Sequence, residues 1–389
     1  MKILIINSST LPYPPVFGGA VENLIDLYVK KYMNNKEYEI TIVSKYEKRA
    51  FEESKNYKNV KFVWIKTNTI KYKFIRYFSA LLRKITHKYI DNAYIFFVKK
   101  QINDFEKYDI VISENVSEYG LALRKLVKGK LVLHLHNDIL NKNTIESKKI
   151  LSVYDELWCL SKYIKSKVDE IEKCNKTKLL YNGIDIERFN IRYNQDIIYE
   201  TRKKYNIKNE DKVIMYSGRI VPEKGVLELV KAFNQIKKDN VKLLLVGNIE
   251  GKEKYKKIIK REIRENSNII VTGYVNYECI PKLYSIADLG IVPSMWEEPF
   301  ALTVVEFMAS KTPLVVTDSG AITELVNEKY ASIVKRDKNI ISNIRNSIID
   351  GLEKKYDYGK MNEDIFKFSS DKYCQKIEMY IRELMRGEG

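Results

Sequence analysis

Long apolar runs are missing from this chain of 389 residues. None approaches the ~20 consecutive residues that a helix needs to cross a bilayer. The opening "MKILIIN" has an apolar core too short for a signal peptide and reads as a first strand. Cysteine is scarce: Cys159, Cys174, Cys279 and Cys374 are scattered, with no CxxC pair and no histidines at metal spacing. That argues against a disulfide framework and a zinc site, and for reduced, structural thiols in a cytosol. Acidic residues almost vanish from 61–100, where ten Lys or Arg stand against Asp91 alone.

What is present is a globular composition, with 45% apolar and 31% charged residues, in a length that suits two domains. Net charge is +17. The basic stretch 61–100 is interleaved with Trp64, Tyr72, Phe74, Tyr77, Phe78 and Tyr89. Such a surface is either simply solvated or suited to nucleic acid or an anionic membrane face. No nucleic-acid signature accompanies the charge, so of the two binding readings the membrane is favoured.

Short runs rich in Ile, Val and Leu recur between segments of helical period. The first half contains "KILIIN", "EITIVS", "VKFVWI", "DIVISE", "KLVLHLH", "ELWCLS" and "KLLYNG". The second contains "KVIMYSG", "KLLLVG", "IIVTGY", "LGIVPS", "PLVVTD" and "ASIVK". Apolar strands alternating with helices signify parallel sheets covered on both faces. The expected fold class is therefore α/β, with two Rossmann-like doubly wound domains. Ligands bind beyond the carboxyl ends of such strands, so two facing sheets would enclose a central cleft. The polar break near 184–205 divides the chain into domains 1–190 and 191–365. The tail 366–389 is an amphipathic helix behind a Ser/Asp cap.

"YSGRIVPEKGVLELVKAF" follows a strand and opens a helix, with Pro222 suited to the first turn. Arg219 and Lys224 stand there beside free backbone N–H groups, an assembly suited to a diphosphate, though both also fit as plain surface cations. "PPVFGGAVENLI" places Gly18 and Gly19 between strand and helix, where a backbone can approach a ligand or merely turn. It is not GxGxxG, and no acid ends the second strand, so a dinucleotide fingerprint fails. In "LVLHLHND", His134 and His136 share one face of a strand. His136, at the strand end, is the candidate for the site, and two histidines without a third ligand make a poor zinc centre.

"EEPFALTVVE" carries Glu298 and Glu306 eight positions apart. On a helix that is up to ~12 Å, too far for two acids to work on one glycosidic bond, which needs roughly 5–10 Å. The spacing matches the two sugar rings of a nucleotide sugar, with Glu298 on one and Glu306 on the ribose hydroxyls. Glu297 has no evident role.

"GRIVPEKG", "EPFALTVVE" as an E-x7-E motif, "SKYIKSKV…KLLYNGIDIERF" and "PPVFGGAVENLI" together resemble a family 4 glycosyltransferase of the two-domain GT-B fold, over essentially the whole chain. The resemblance implies retaining transfer from a nucleoside diphosphate sugar, usually UDP- or GDP-linked, to an acceptor held by the N-terminal domain. It also implies no cofactor and no metal, and no Asp-x-Asp occurs in the chain. By position, Arg219 and Lys224 match the pair on the donor diphosphate, Glu298 the acid on the donor sugar and Glu306 the acid on ribose. Phe300, Ala301, Leu302 and Thr303 match the stretch whose N–H groups meet sugar and phosphate. Gly19, with Gly18 before it, matches the glycine beside the diphosphate, and His136 the histidine near the transferred sugar. The base is expected against Tyr274 and Val275. The last helix resembles one that crosses back onto the N-domain.

Two positions depart from the family. Ala301 stands where Gly is usual, and tolerates a close N–H contact only if its φ stays negative; Lys311 stands where Gly is frequent and reads as a turn variant. The expected protein is a cytoplasmic UDP-sugar-dependent transferase. It would make an α-glycosidic bond on a cell-surface polysaccharide, glycolipid or related acceptor, with 61–100 docking on the inner membrane face or receiving the acceptor. The rivals are a nucleotide-sugar epimerase on the same fold and a non-catalytic membrane-associated scaffold.

Overall fold

The computed structural model describes residues 1–87 and 89–387. Lys88, within the basic stretch, and Glu388 and Gly389, at the end of the expected tail segment, lie outside them. Every apolar run named above forms a strand. The first seven are β1 (Lys2–Ile6), β2 (Glu39–Lys45), β3 (Val60–Ile65), β4 (Ile110–Glu114), β5 (Lys130–Leu135), β6 (Glu156–Cys159) and β7 (Thr177–Leu179). They make one sheet in the order β3-β2-β1-β4-β5-β6-β7. The next six are β8 (Lys212–Ser217), β9 (Val241–Val246), β10 (Ile269–Gly273), β11 (Leu289–Val292), β12 (Leu314–Thr317) and β13 (Ala331–Val334). Their order is β10-β9-β8-β11-β12-β13. Every pairing in both sheets is parallel.

Strand burial explains the apolar runs: β4 and β6 are buried at every residue, because helices cover both faces of a parallel sheet. In each sheet the strand order reverses once, between β1 and β4 and between β8 and β11. Those switch points, at the carboxyl ends of the strands, are where doubly wound sheets take their ligands.

The chain forms two compact units, 1–183 with 371–389, and 184–370. These limits differ from the sequence expectation at both crossings. Ile184 N–H donates to Phe368 O at 2.8 Å and Ser370 N–H to Ile184 O at 2.9 Å, while Phe189 packs edge-on against Tyr284 at 5.4 Å. Residues 184–190 and 366–370 therefore belong to the second unit. The helix Ser370–Arg386 lays Tyr373, Cys374, Ile377, Ile381 and Leu384 into the core around Ile3, Ile5 and Leu24 of the first unit. Tyr32 OH to Glu378 Oε2 at 2.9 Å and Tyr380 OH to Leu179 O at 2.8 Å fix its rotation.

Candidate active site

In the second unit, the loops after β8 and β11 meet at the switch point. After β8 the chain passes Arg219, makes a short 3-10 turn at Pro222–Lys224 and enters the helix Val226–Phe233 only after Gly225. Gly225 has φ +67°, and a Cβ there would collide with Pro293 O just beyond β11. Glycine is what lets the two loops touch, and Met295 N–H donating to Glu223 O at 2.9 Å laces them.

This places Lys224 Nζ 2.7 Å from Glu298 Oε1, and 5.3 Å from the ring centroid of Trp296. Glu298 is 3% exposed, and Ser294 Oγ donates to the same carboxylate oxygen. A buried carboxylate persists only when paired and hydrogen-bonded, and both partners are supplied by the residues of these two loops. The backbone of Glu298 is held from the loop after β12: Ala321 N–H donates to its carbonyl at 2.8 Å. Gly320, with φ +51°, lies so close that a Cβ would collide with that carbonyl and sit 2.6 Å from the Glu298 nitrogen. Trp296 is 42% exposed, an aromatic face beside the ion pair.

Glu298 leads through Phe300 and Ala301 into the helix Leu302–Ala309. Phe300 is buried edge-on against Phe368 at 5.9 Å. Ala301 caps the helix with φ −114°, so the negative φ that a close N–H contact requires is met without glycine. Leu302 and Thr303 occupy the first turn, where N–H groups lack intrahelical acceptors and the dipole favours anions. Lys311 has φ +60°, the left-handed region that explains why glycine suits this position in the family it resembles.

Glu306 sits on the buried side of the same helix. Tyr284 OH donates to its Oε2 at 2.8 Å and Tyr277 OH approaches Oε1 at 3.5 Å. Burial raises its pKa against the opposing pull of both tyrosines and Arg188. Arg188 lies over the Tyr277 ring at 4.5 Å. Tyr274 and Val275 follow β10, Tyr274 being strongly exposed. The Arg219 guanidinium is exposed, with Glu250 Oε2 3.9 Å away, so it is free to reach a ligand.

Glu297 has a structural role that spacing did not reveal. Its carboxylate accepts from Arg336 Nη2 and from Gly320 N–H, both at 2.6 Å, while Arg336 Nε also donates to Asp318 at 3.1 Å. Glu297 thus anchors the loop that presents Glu298.

In the first unit, Gly18 and Gly19 have φ +72° and +105°, and Gly19 caps the helix Ala20–Tyr32. A Cβ on Gly18 would meet nothing within 4 Å, while one on Gly19 would strike Leu11 at 2.7 Å and collide with Glu22. His136 is buried with Nε2 2.9 Å from Glu114 Oε2. His134 Nδ1 lies 3.0 Å from the same oxygen but off the line of a hydrogen bond, and Tyr28 OH donates to Glu114 Oε1 at 3.0 Å. Burial would raise the Glu114 carboxyl; the two imidazoles outweigh it and hold it at about 2. Burial, reinforced by His134, pushes His136 down to about 4. Glu114 is the residue that sequence reasoning missed, and with the histidines it offers three ligand-type atoms within 4.8 Å of one another. The available signal was an acid closing the apolar run "DIVISE".

Two doubly wound parallel sheets, with cations after one switch-point strand of the second and an acid-led helix after the other, have the architecture of the GT-B fold. Residues 198–366, less than half of the chain, match the family described as Glycosyl transferases group 1. The chain is similar to the lipopolysaccharide 1,2-N-acetylglucosaminetransferase of Salmonella typhimurium, 29% identical over 237 residues, 59% of each chain. An uncharacterized glycosyltransferase of Methanocaldococcus jannaschii is 26% identical over 60% of this chain and 64% of its own. The chain thus spans less than two thirds of these two relatives. The putative glycosyltransferase YtcC of Bacillus subtilis is 26% identical over 86% of this chain and 79% of its own. The crystal structure of Anabaena Alr3699/HepE in complex with UDP and glucose shares the fold, with TM-score 0.73 and 17% identity over 98% of this chain and 100% of that one.

Proposed function

We propose that the protein is a retaining, family 4 type transferase. It moves a sugar from a UDP-sugar to a cell-surface polysaccharide, glycolipid or related acceptor, forming an α-glycosidic bond. The observation that carries this reading is the pair of half-buried Lys224 and buried Glu298 just before the helix Leu302–Ala309. An acid and a cation this close suit the join between a sugar and its phosphate. Support comes from HepE, whose crystal structure holds UDP and glucose, and from the Salmonella relative, named for work on lipopolysaccharide.

In the proposed complex Arg219, Lys224 and the N–H groups of Leu302 and Thr303 hold the diphosphate, without a metal. Charge grows on the leaving phosphate as its bond to the sugar breaks, and fixed cations and dipoles aimed there stabilise it. Glu298 accepts from donor-sugar hydroxyls, and Glu306 from the ribose, with Tyr274 and Val275 beside the base. The acceptor oxygen bonds to the anomeric carbon on the face the phosphate leaves, and its proton passes to the departing phosphate oxygen. No side chain acts as nucleophile. The first unit holds the acceptor, and Glu114 orients His136 there. The protein is cytoplasmic and touches the inner membrane face through 61–100.

Release of nucleoside diphosphate from a panel of UDP-, GDP- and ADP-sugars tests the reading. UDP release from one sugar supports it. A blank panel favours a scaffold, and epimer interconversion without release favours an epimerase.

A further inference from the structure

A surface helix normally turns its apolar stripe inward. The helix Ile70–Thr86 does the reverse. Ile70, Phe74, Tyr77, Phe78, Leu81 and Ile85 are between 40% and 87% exposed. At about 100° per residue they fall within one arc of about 100°. Phe74 and Phe78 stack with centroids 6.2 Å apart and ring planes nearly parallel, so aromatic rings form the middle of an otherwise aliphatic stripe. The opposite face is the one that packs. Tyr72 and Ser79 are its buried residues, Tyr72 stacks on Phe97 at 5.7 Å, and Arg83 Nη1 pairs with Glu118 at 2.8 Å.

The charge around this stripe identifies what it meets. No acidic residue occurs in Ile70–Thr86. By helical angle Lys71 borders the stripe on one side, and Lys73 and Lys84 border it on the other. Aromatic and aliphatic residues along one line, with lysines on both shoulders and no acids, complement a surface that is apolar below and anionic above. A soluble protein partner would need matching acids at its rim and a ready apolar groove, whereas an anionic lipid surface supplies both along its whole extent. At 1.5 Å per residue the helix is ~25 Å long, a length that suits lying along such a surface rather than crossing it; no helix of the described residues is long and apolar enough to cross a membrane.

We infer that the outward face of Ile70–Thr86 is an interfacial docking element for anionic lipid. Its apolar stripe enters the headgroup–acyl boundary, and Lys71, Lys73 and Lys84 meet the headgroups. The inference rests on the proposed peripheral membrane contact and assigns it to one helix face.

The test is co-sedimentation of the full chain with phosphatidylcholine vesicles with and without phosphatidylglycerol. Three proteins are compared: the unaltered chain, a Phe74→Ser/Tyr77→Ser/Phe78→Ser variant and a Lys71→Glu/Lys73→Glu/Lys84→Glu variant. UDP release from the donor sugar, measured without acceptor, checks that each variant is folded. The unaltered chain should bind the anionic vesicles at least tenfold better than the neutral ones. Each lysine near such a surface is worth about 1 kcal/mol, a factor of about five, so charge reversal should weaken binding about a hundredfold or more. The serine variant should lose at least tenfold. A Phe74→Trp reporter should shift to the blue only with anionic vesicles. Indifference of the unaltered chain to lipid charge overturns both this inference and the peripheral contact. Variants that bind like the unaltered chain overturn the helix assignment alone. Self-association of the chain that the serine variant abolishes, seen by sedimentation velocity without vesicles, overturns it in favour of a second copy as the occupant. None of these outcomes touches the transferase reading, which stands or falls on UDP release.

Discussion

Glu298 is held by its neighbours from two directions, side chain by Lys224 and Ser294, backbone by Ala321 and the absence of a side chain at Gly320. That makes Gly320 a positioning residue. Gly320→Ala introduces a Cβ that collides with the Glu298 carbonyl, at a φ of +51° that alanine resists. Rearranging a reactive group by ~1 Å costs about a hundredfold in rate. Steady-state kinetics should show kcat falling by that order while the thermal midpoint drops only a few degrees; unchanged kcat would detach Gly320 from the site. Lys311 offers the opposite experiment. Its left-handed backbone costs a side chain about 1 kcal/mol, partly offset by the freedom glycine adds to the unfolded chain. Lys311→Gly should leave activity unchanged and raise stability by up to about 1 kcal/mol in urea, and a clear loss of stability would refute the reading. Neither constraint was legible beforehand. A positive φ and a backbone collision appear only once the loops fold, although the family's preference for glycine at 311 was a pointer.

At the scale of elements, the proposed site residues stand at or beyond strand ends, and the strands were the most readable part. Runs such as "KLLLVG" and "PLVVTD" became β9 and β12 because a parallel sheet buries both faces, which leaves no polar alternation to confuse the pattern. The contacts between strand ends were hidden. Glu114 and His134 lie opposite in the β4–β5 register though twenty residues apart in sequence, and Arg336 reaches Glu297 from beyond β13. The β4–β5 cluster makes a pH prediction. His136 has its pKa depressed from 6.5 to about 4. The unfolded chain therefore binds the proton more readily, and stability falls as pH drops through that window. Glu114, held at about 2 against an ordinary 4.5, contributes stability above pH 4.5 that is lost as pH falls toward 2. Both act in the same direction. Urea unfolding should lose on the order of 3 kcal/mol between pH 6.5 and 4, and His136→Asn should flatten that interval. A wild-type profile flat from 6.5 to 4 would contradict the cluster as described.

For the whole molecule, the order of strands determines where function is placed. Thirteen apolar runs announced two doubly wound units, and the E-x7-E stretch with "GRIVPEKG" pointed to the donor site proposed above, because these are local patterns. The limits of the units were misplaced by several residues because they depend on a pairing between Ile184 and Ser369, which no local pattern encodes. The helix Ser370–Arg386 was recognisable as amphipathic, while its burial against Ile3 and Leu24 depends on residues more than three hundred positions earlier. The central claim is that Lys224, paired with the buried Glu298, marks the donor site of a UDP-sugar transferase. The most direct measurement is UDP release from the panel of nucleotide sugars by the intact chain and by its Lys224→Ala and Glu298→Ala variants. The account predicts release from a UDP-sugar by the intact chain, and a loss of about a hundredfold or more in each variant with the fold retained by circular dichroism. Equal rates in all three proteins would contradict it.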